Sequence, residues 1–277
     1  MFRRMREGWE LTKKSWSVVR QHPRLLRLTI TGGLIALLVA VIVGGPGVWL
    51  STSDVDSTRY AGWALLAIAS YVASFFVIYY NVALAAAADD ALAGREPDLD
   101  AAKARARQQL PAIAGWALVS MIVALLINGI RDKGGATGRI LGAVGAAAWG
   151  FVTFFVVPVL ALEGIGPIAA IKRSGQLVRQ KWGQQATGNI AIGGFATAAS
   201  MLGGIVLVVG VVLLVTGVTA NIAIGVVLVA LGGAIVIVSS VVAGAMRGVF
   251  GVALYHFGVD DEARGPFDRA ELAAAAS

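Results

Sequence analysis

The chain has 277 residues, 57% of them hydrophobic and 14% charged, with a formal net charge of +7 and a mean hydropathy of +0.77. Soluble domains carry about a quarter of their residues as charges, so the composition excludes an ordinary water-soluble globule and predicts an all-α, polytopic membrane bundle. Cysteine is absent and only His22 and His256 represent histidine, which excludes a disulfide framework, a thiolate metal site and a cysteine nucleophile.

Residues 1–27 read as an amphipathic interfacial helix. Phe2, Met5, Trp9, Thr12, Trp16 and Val19 recur at alternating spacings of three and four and predict an apolar seam, with Arg3, Arg4, Arg6, Lys13, Lys14 and Arg20 on the other faces. Tryptophan on one side and lysine or arginine on the other suits the head-group boundary. The polar stretch reaches Arg27 and the apolar run after it is long, so a cleavable signal peptide is not expected.

Residues 28–257 form the membrane domain, with predicted spans at 28–50, 61–88, 110–130, 140–162, 187–215 and 222–257. Gly44-Gly45-Pro46-Gly47 predicts a kink at the outer end of the first span. Residues 51–59 and 131–139 are the expected outer loops, and Asp98 or Asp100 starts a short basic helix after Pro97. The tail, 258–277, is polar and then Ala-rich and is expected to be partly disordered.

Lysine and arginine set the orientation. With the N-terminus inside, the inner segments 1–27, 89–110, 163–186 and 244–277 hold nineteen of the 23 basic residues, and the outer loops hold Arg59, Arg131, Lys133 and Arg139. The positive-inside rule then puts both termini in the cytoplasm of a plasma membrane. The basic residues lie beside spans and not on a soluble domain, so the expected partner is the anionic head groups of the inner leaflet, with a protein partner or a homo-oligomer as further candidates and nucleic acid excluded.

Two inner segments resemble each other. Lys13-Lys14-Ser15-Trp16-Ser17-Val18-Val19-Arg20-Gln21 aligns without gaps to Lys172-Arg173-Ser174-Gly175-Gln176-Leu177-Val178-Arg179-Gln180, and Ala106-Arg107-Gln108 echoes the end of both. One reading is a three-fold repeat of an amphipathic basic helix followed by a helical hairpin. The other is that any basic interfacial helix draws on the same few residues.

The candidate lipid- or partner-binding residues are Lys13, Lys14, Arg20, Arg107, Glu163, Lys172, Arg173, Arg179 and Trp182. Glu163 follows the fourth span and precedes Gly164-Ile165-Gly166-Pro167; it either faces an interfacial cavity beside Lys172 or Arg173, or sits structurally at the positive end of the helix beginning at Pro167. Ile168, Ile171, Gly175, Val178 and Trp182 form that helix's predicted seam. No Asp, Glu, Lys or His falls at the centre of a predicted span, which counts against ion-coupled transport. Neither a catalytic constellation nor a metal-ligand cluster occurs at useful spacing, so the expectation is a non-enzyme without cofactor or metal. Asn81, Asn128 and Asn189 lie toward span ends, and Gly193-Gly194, Ser200/Gly204, Gly232-Gly233 and Gly244/Gly248 are small residues that suit close helix packing.

GWELTKKSWSVVRQHPRLL, LAGREPDLDAAKARA and VPVLALEGIGPIAAIKRSGQLVRQKWG together resemble an uncharacterised family of prokaryotic, largely actinobacterial six-helix membrane proteins. More loosely the chain is similar to the membrane domain fused to some glycerophosphodiester phosphodiesterases, without matching a catalytic phosphodiesterase domain. The resemblance implies the topology and supplies no catalytic residues. Two functions remain: a scaffold-like protein binding anionic lipid or a partner through its basic helices, and a passive channel or small transporter with a pathway through the bundle.

Overall fold

A computed structural model describes residues 2–182, 190–215 and 219–276, with side chains described at all positions except 1–8, 181–200, 216–221, 223 and 274–277. Its elements are α1 (Phe2–Gln21), α2 (Leu25–Val39), a π-helical turn (Ala40–Gly44), α3 (Gly45–Ser51), α4 (Asp56–Leu92), α5 (Leu99–Gln108), α6 (Leu110–Lys133), α7 (Gly135–Val152), α8 (Val156–Leu162), α9 (Pro167–Trp182), α10 (Ile190–Val215), α11 (Thr219–Asp260) and α12 (Arg269–Ala276). Among the described residues, five helical stretches are long and apolar enough to cross a membrane: Leu25–Ser51, Asp56–Leu92, Leu110–Lys133, Gly135–Leu162 and Ile224–Asp260. The remaining predicted span corresponds to α10; its beginning, at residues 187–189, lies outside the described residues, and its described apolar part is Met201–Val215.

Local chemistry explains where the helices depart from simple rods. The first span widens into one π turn just before Pro46. A proline has no N–H to donate and its ring collides with the carbonyl four residues back, so the added residue in the turn relieves the clash. The outer loop predicted at 131–139 is instead a tight corner: α6 runs to Lys133 and α7 begins at Gly135, whose φ is +55°. Only glycine fits beside it at Gly138, where a Cβ would lie 2.4 Å from the Ile130 carbonyl oxygen. On the other side of the bundle, Asp98 caps α5 by accepting from the Asp100 and Ala101 amides at 2.9 and 3.1 Å.

The dense core lies at one end of the bundle. There the last turns of α4 (Val82 to Leu92), all of α8 and the stretch of α11 from Ala245 to Phe257 pack together, with Leu84, Val156, Val159, Val249 and Ala253 at 0–1% exposure. Toward the opposite end the spans expose Leu37, Ile42, Ile122 and Leu125. This division follows from the solvent: inside lipid, apolar side chains gain nothing by leaving hydrocarbon, and close packing of small residues holds helices together. The α10–α11 pair shows it. Gly210 and Gly225 face each other so closely that a Cβ on either would sit 2.9 Å from the other's carbonyl oxygen, and a Cβ on Gly232 would sit 2.5 Å from the Leu207 amide nitrogen.

The described part of the tail folds back and forms α12, where partial disorder was expected. After α11 ends at Asp260 the chain turns through Asp261 and Gly265, both at positive φ, and returns to the core, burying Phe267 (3% exposed) and Leu272 (0%). Apolar residues in an otherwise polar tail supply the reason: burying each is favourable by about 1.5–3 kcal/mol where water is the alternative.

Gly232→Val is expected to push α10 and α11 apart and cost about 1–3 kcal/mol, read as a lower melting temperature in detergent. Gly233→Ala, where an added Cβ would meet nothing within 4 Å, is the neutral control.

Candidate functional site

The basic end carries α1 and α9 as two covering helices. On α1 the inward face is Leu11, Thr12, Ser15, Val18 and Val19, all 6% exposed or less. The predicted seam therefore splits: Thr12 and Val19 turn inward, whereas Trp9 (43%) and Trp16 (41%) are exposed, and Phe2 and Met5 lie outside the described side chains. The core selects small and aliphatic residues that fit against α11. Ser15 qualifies because its hydroxyl donates to its own helix, to the Leu11 carbonyl at 2.9 Å. On α9 the inward residues are Ala170, Ser174, Leu177 and Val178, while Ile168, placed in the predicted seam, is 55% exposed, and Ile171 and Gly175 are half-buried. Trp182 ends that helix with its side chain outside the described set.

Ser174 shows why this helix seats where it does. The fourth span breaks between α7 and α8, freeing backbone groups, and the Ser174 hydroxyl donates to the Val152 carbonyl at 2.6 Å and accepts from the Phe155 amide at 3.0 Å. Side-chain repair of this kind is what permits a broken span.

The candidate cations divide into two sets. Lys14 and Arg173 are committed inside the protein: Lys14 Nζ lies 2.7 Å from Asp268 Oδ2 and 2.6 Å from Glu271 Oε2, and Arg173 Nε donates to Glu163 Oε1 at 2.9 Å. Glu163 also accepts from the Tyr255 hydroxyl at 2.8 Å, so it is tied to both α9 and α11. Burial works against the Lys14 ammonium, but its hydrogen bonds to Asp268 and Glu271 outweigh it and raise the pKa above the ordinary lysine value. That stabilisation is complete below the ordinary value and is lost only as pH rises through the raised one.

Arg20, Lys172 and Arg179 are exposed and form no ion pair among the described residues, and exposed Arg107 has the Asp100 carboxylate as an electrostatic neighbour. Lys13 is exposed, with Nζ 3.0 Å from Glu10 and 5.8 Å from the centre of the Trp9 ring. Trp9, Lys13, Trp16 and Arg20 thus make one outward stripe at spacings of four, three and four, and Ile168, Lys172 and Arg179 make a second on α9.

A third cluster joins residues that no motif in the sequence connects. Asp90, 6% exposed, is held by Arg95 and Arg105, each at 2.6 Å, and neighbouring Asp89 lies 2.6 Å from His256 Nε2 and 3.4 Å from Arg264 Nη1. A carboxylate only accepts, so a bond to Asp89 needs the proton on His256 Nε2, whereas the Arg264 guanidinium, 3.1 Å from the same nitrogen, can only donate and is satisfied by Asp89 when Nε2 is protonated. The available signal was an acidic pair closing an apolar helix, since buried carboxylates require partners. Among the described residues no group of three or more His, Cys, Asp or Glu could hold a metal ion. A groove of about 620 Å³ between the first span and α4 is lined by Val41, Gly45, Val48 and Leu66 with Ser70 and Ser74. Asn81 is half-buried on α4, Asn128 is exposed on α6, and Asn189 lies outside the described residues.

Among known proteins, the sequence model of a family of unknown function, DUF6159, matches residues 61–265, and the chain belongs to that family. Comparison with curated proteins finds no match, so the looser likeness to phosphodiesterase membrane domains gains no support.

Ser174→Ala is expected to cost about 1–3 kcal/mol, because it removes bonds on both sides of the break in the fourth span. Glu163→Ala is expected to cost a similar amount, about 1–3 kcal/mol, by stranding the half-buried Arg173 and the buried Tyr255. Thermal unfolding followed by circular dichroism in detergent reads both.

Proposed function

We propose that this DUF6159 protein is a non-enzymatic, scaffold-like protein of a bacterial inner membrane, by resemblance actinobacterial, that binds anionic lipid head groups along the outward stripes of α1 and α9. In this reading it crosses the membrane six times, with both termini in the cytoplasm and the dense core at the inner leaflet. The observation that carries the proposal is the Trp9-Lys13-Trp16-Arg20 face: two indoles, 43% and 41% exposed, interleaved with two exposed cations. Indoles favour the boundary between hydrocarbon and head groups, and each basic residue there gains about 1 kcal/mol from an anionic surface.

Internal repetition supports the same reading. Shifting by 159 residues carries Leu11, Ser15, Val18 and Val19 onto Ala170, Ser174, Leu177 and Val178, every one buried. The same shift carries exposed Trp9, Lys13 and Arg20 onto exposed Ile168, Lys172 and Arg179, and acid-paired Lys14 onto acid-paired Arg173. In α5 the echo is partial: Ala102 and Ala106 are buried and Arg107 is exposed. A three-fold repeat of basic helix and hairpin places each such helix on the same side of the membrane. The passive-channel reading gains no support from the groove beside α4, whose described lining holds no charged residue.

Replacing Lys13, Arg20, Lys172 and Arg179 together with glutamine is expected to weaken binding of phosphatidylglycerol by about five-fold per residue, the equivalent of about 1 kcal/mol each. Titration of the purified protein in neutral detergent measures it, and unchanged affinity removes the proposal.

A further inference from the structure

We propose that the C-terminal segment is a clasp that sets the roll of α1 and so decides which way its tryptophan and lysine stripe faces. Its consequence for lipid rests on the function proposed above; its geometry does not. A helix packed by one apolar face can still rotate about its axis, because that packing is broad and nondirectional. Successive residues are about 100° apart around a helix. Lys14 therefore projects on one flank of the inward face centred on Ser15, and Trp16 projects on the other, with Trp9, Lys13 and Arg20 on Trp16's side. Fixing Lys14 fixes the stripe.

The tail is built to hold it. Gly265, at φ +64° and pressed against Leu92, turns the chain back, and Phe267 seats with its ring centre 6.2 Å from that of Phe250. Arg264 reaches Asp89 and His256. Glu271 reaches back to the start of α12, the Asp268 amide donating to Glu271 Oε2 at 3.3 Å, which is one of the two bonds of a capping box. That bond orders the two carboxylates that grip Lys14, and Leu272, fully buried, anchors the turn behind them. Polar and ring anchors thus converge on a lysine 254 residues away from Asp268 in the chain. At α9 the equivalent position, Arg173, is gripped by Glu163, ten residues before it. The two covering helices are held at the same place by acids of different origin.

The test uses the full-length chain in neutral detergent with the double variant Asp268→Asn/Glu271→Gln, which leaves every stripe residue in place. Two readings are taken: hydrogen exchange of the α1 amides from Trp9 to Gln21, and affinity for short-chain phosphatidylglycerol. The clasp predicts at least ten-fold faster exchange in α1, unchanged exchange in residues 168–180 of α9, and several-fold weaker lipid binding despite two fewer negative charges. Charge reversal, Lys14→Glu with Asp268→Lys and Glu271→Lys, is expected to restore protection of α1. Unchanged exchange in the double variant overturns the clasp. Faster exchange with unchanged or tighter lipid binding upholds the clasp and instead overturns the lipid reading of the stripe.

Discussion

Apolar burial stabilises a protein only where water is the alternative, and that constraint shapes this fold. Within hydrocarbon the spans have no hydrophobic reason to associate and rely on contacts such as Gly210 against Gly225. At the basic end the situation reverses, and the ends of α4, α8 and α11 gather a core of valine, leucine, alanine and phenylalanine at nearly zero exposure. Such a core in contact with water needs a cover. The covering helices α1 and α9 and the returning tail supply it.

The cover brings polar groups to the rim, where they meet partners. Asp90 takes Arg95 and Arg105, Glu163 takes Arg173 and Tyr255, and Lys14 takes Asp268 and Glu271. Buried or half-buried charges of this kind add little net stability, but removing one partner is costly, so they specify arrangement more than they strengthen it. Of the candidate cations on α1 and α9, Arg20, Lys172 and Arg179 are exposed outside these pairs and open to an external anion.

Composition and long apolar runs made the helical membrane architecture legible, because the bilayer imposes a length that sequence displays directly. The division of the basic residues was not legible. Lys13 and Lys14 are adjacent and chemically identical, yet one faces outward and the other is gripped by residues at the far end of the chain. Periodicity did not reveal which residues of α1 meet the protein, since a Trp9-Thr12-Trp16 seam and a Leu11-Ser15-Val18 seam both follow helical spacing and only the partner surface chooses between them. Serine in the core was hidden for the same reason: nothing local to Ser174 announces a helix break at residues 153–155 for it to repair. The folded-back tail depended on Phe267 and Leu272, two apolar residues whose receiving site lies in other helices.

The chain contains no cysteine, so single spin labels introduced at positions 16 and 168 report local depth without background. Power saturation of the nitroxides in bilayers containing phosphatidylglycerol is the most direct measurement of where the two stripes lie. The account predicts that both labels sit at head-group depth, accessible to oxygen and partly shielded from a water-soluble nickel relaxant. Labels fully accessible to nickel at both positions, as on a helix surrounded by water, would contradict it.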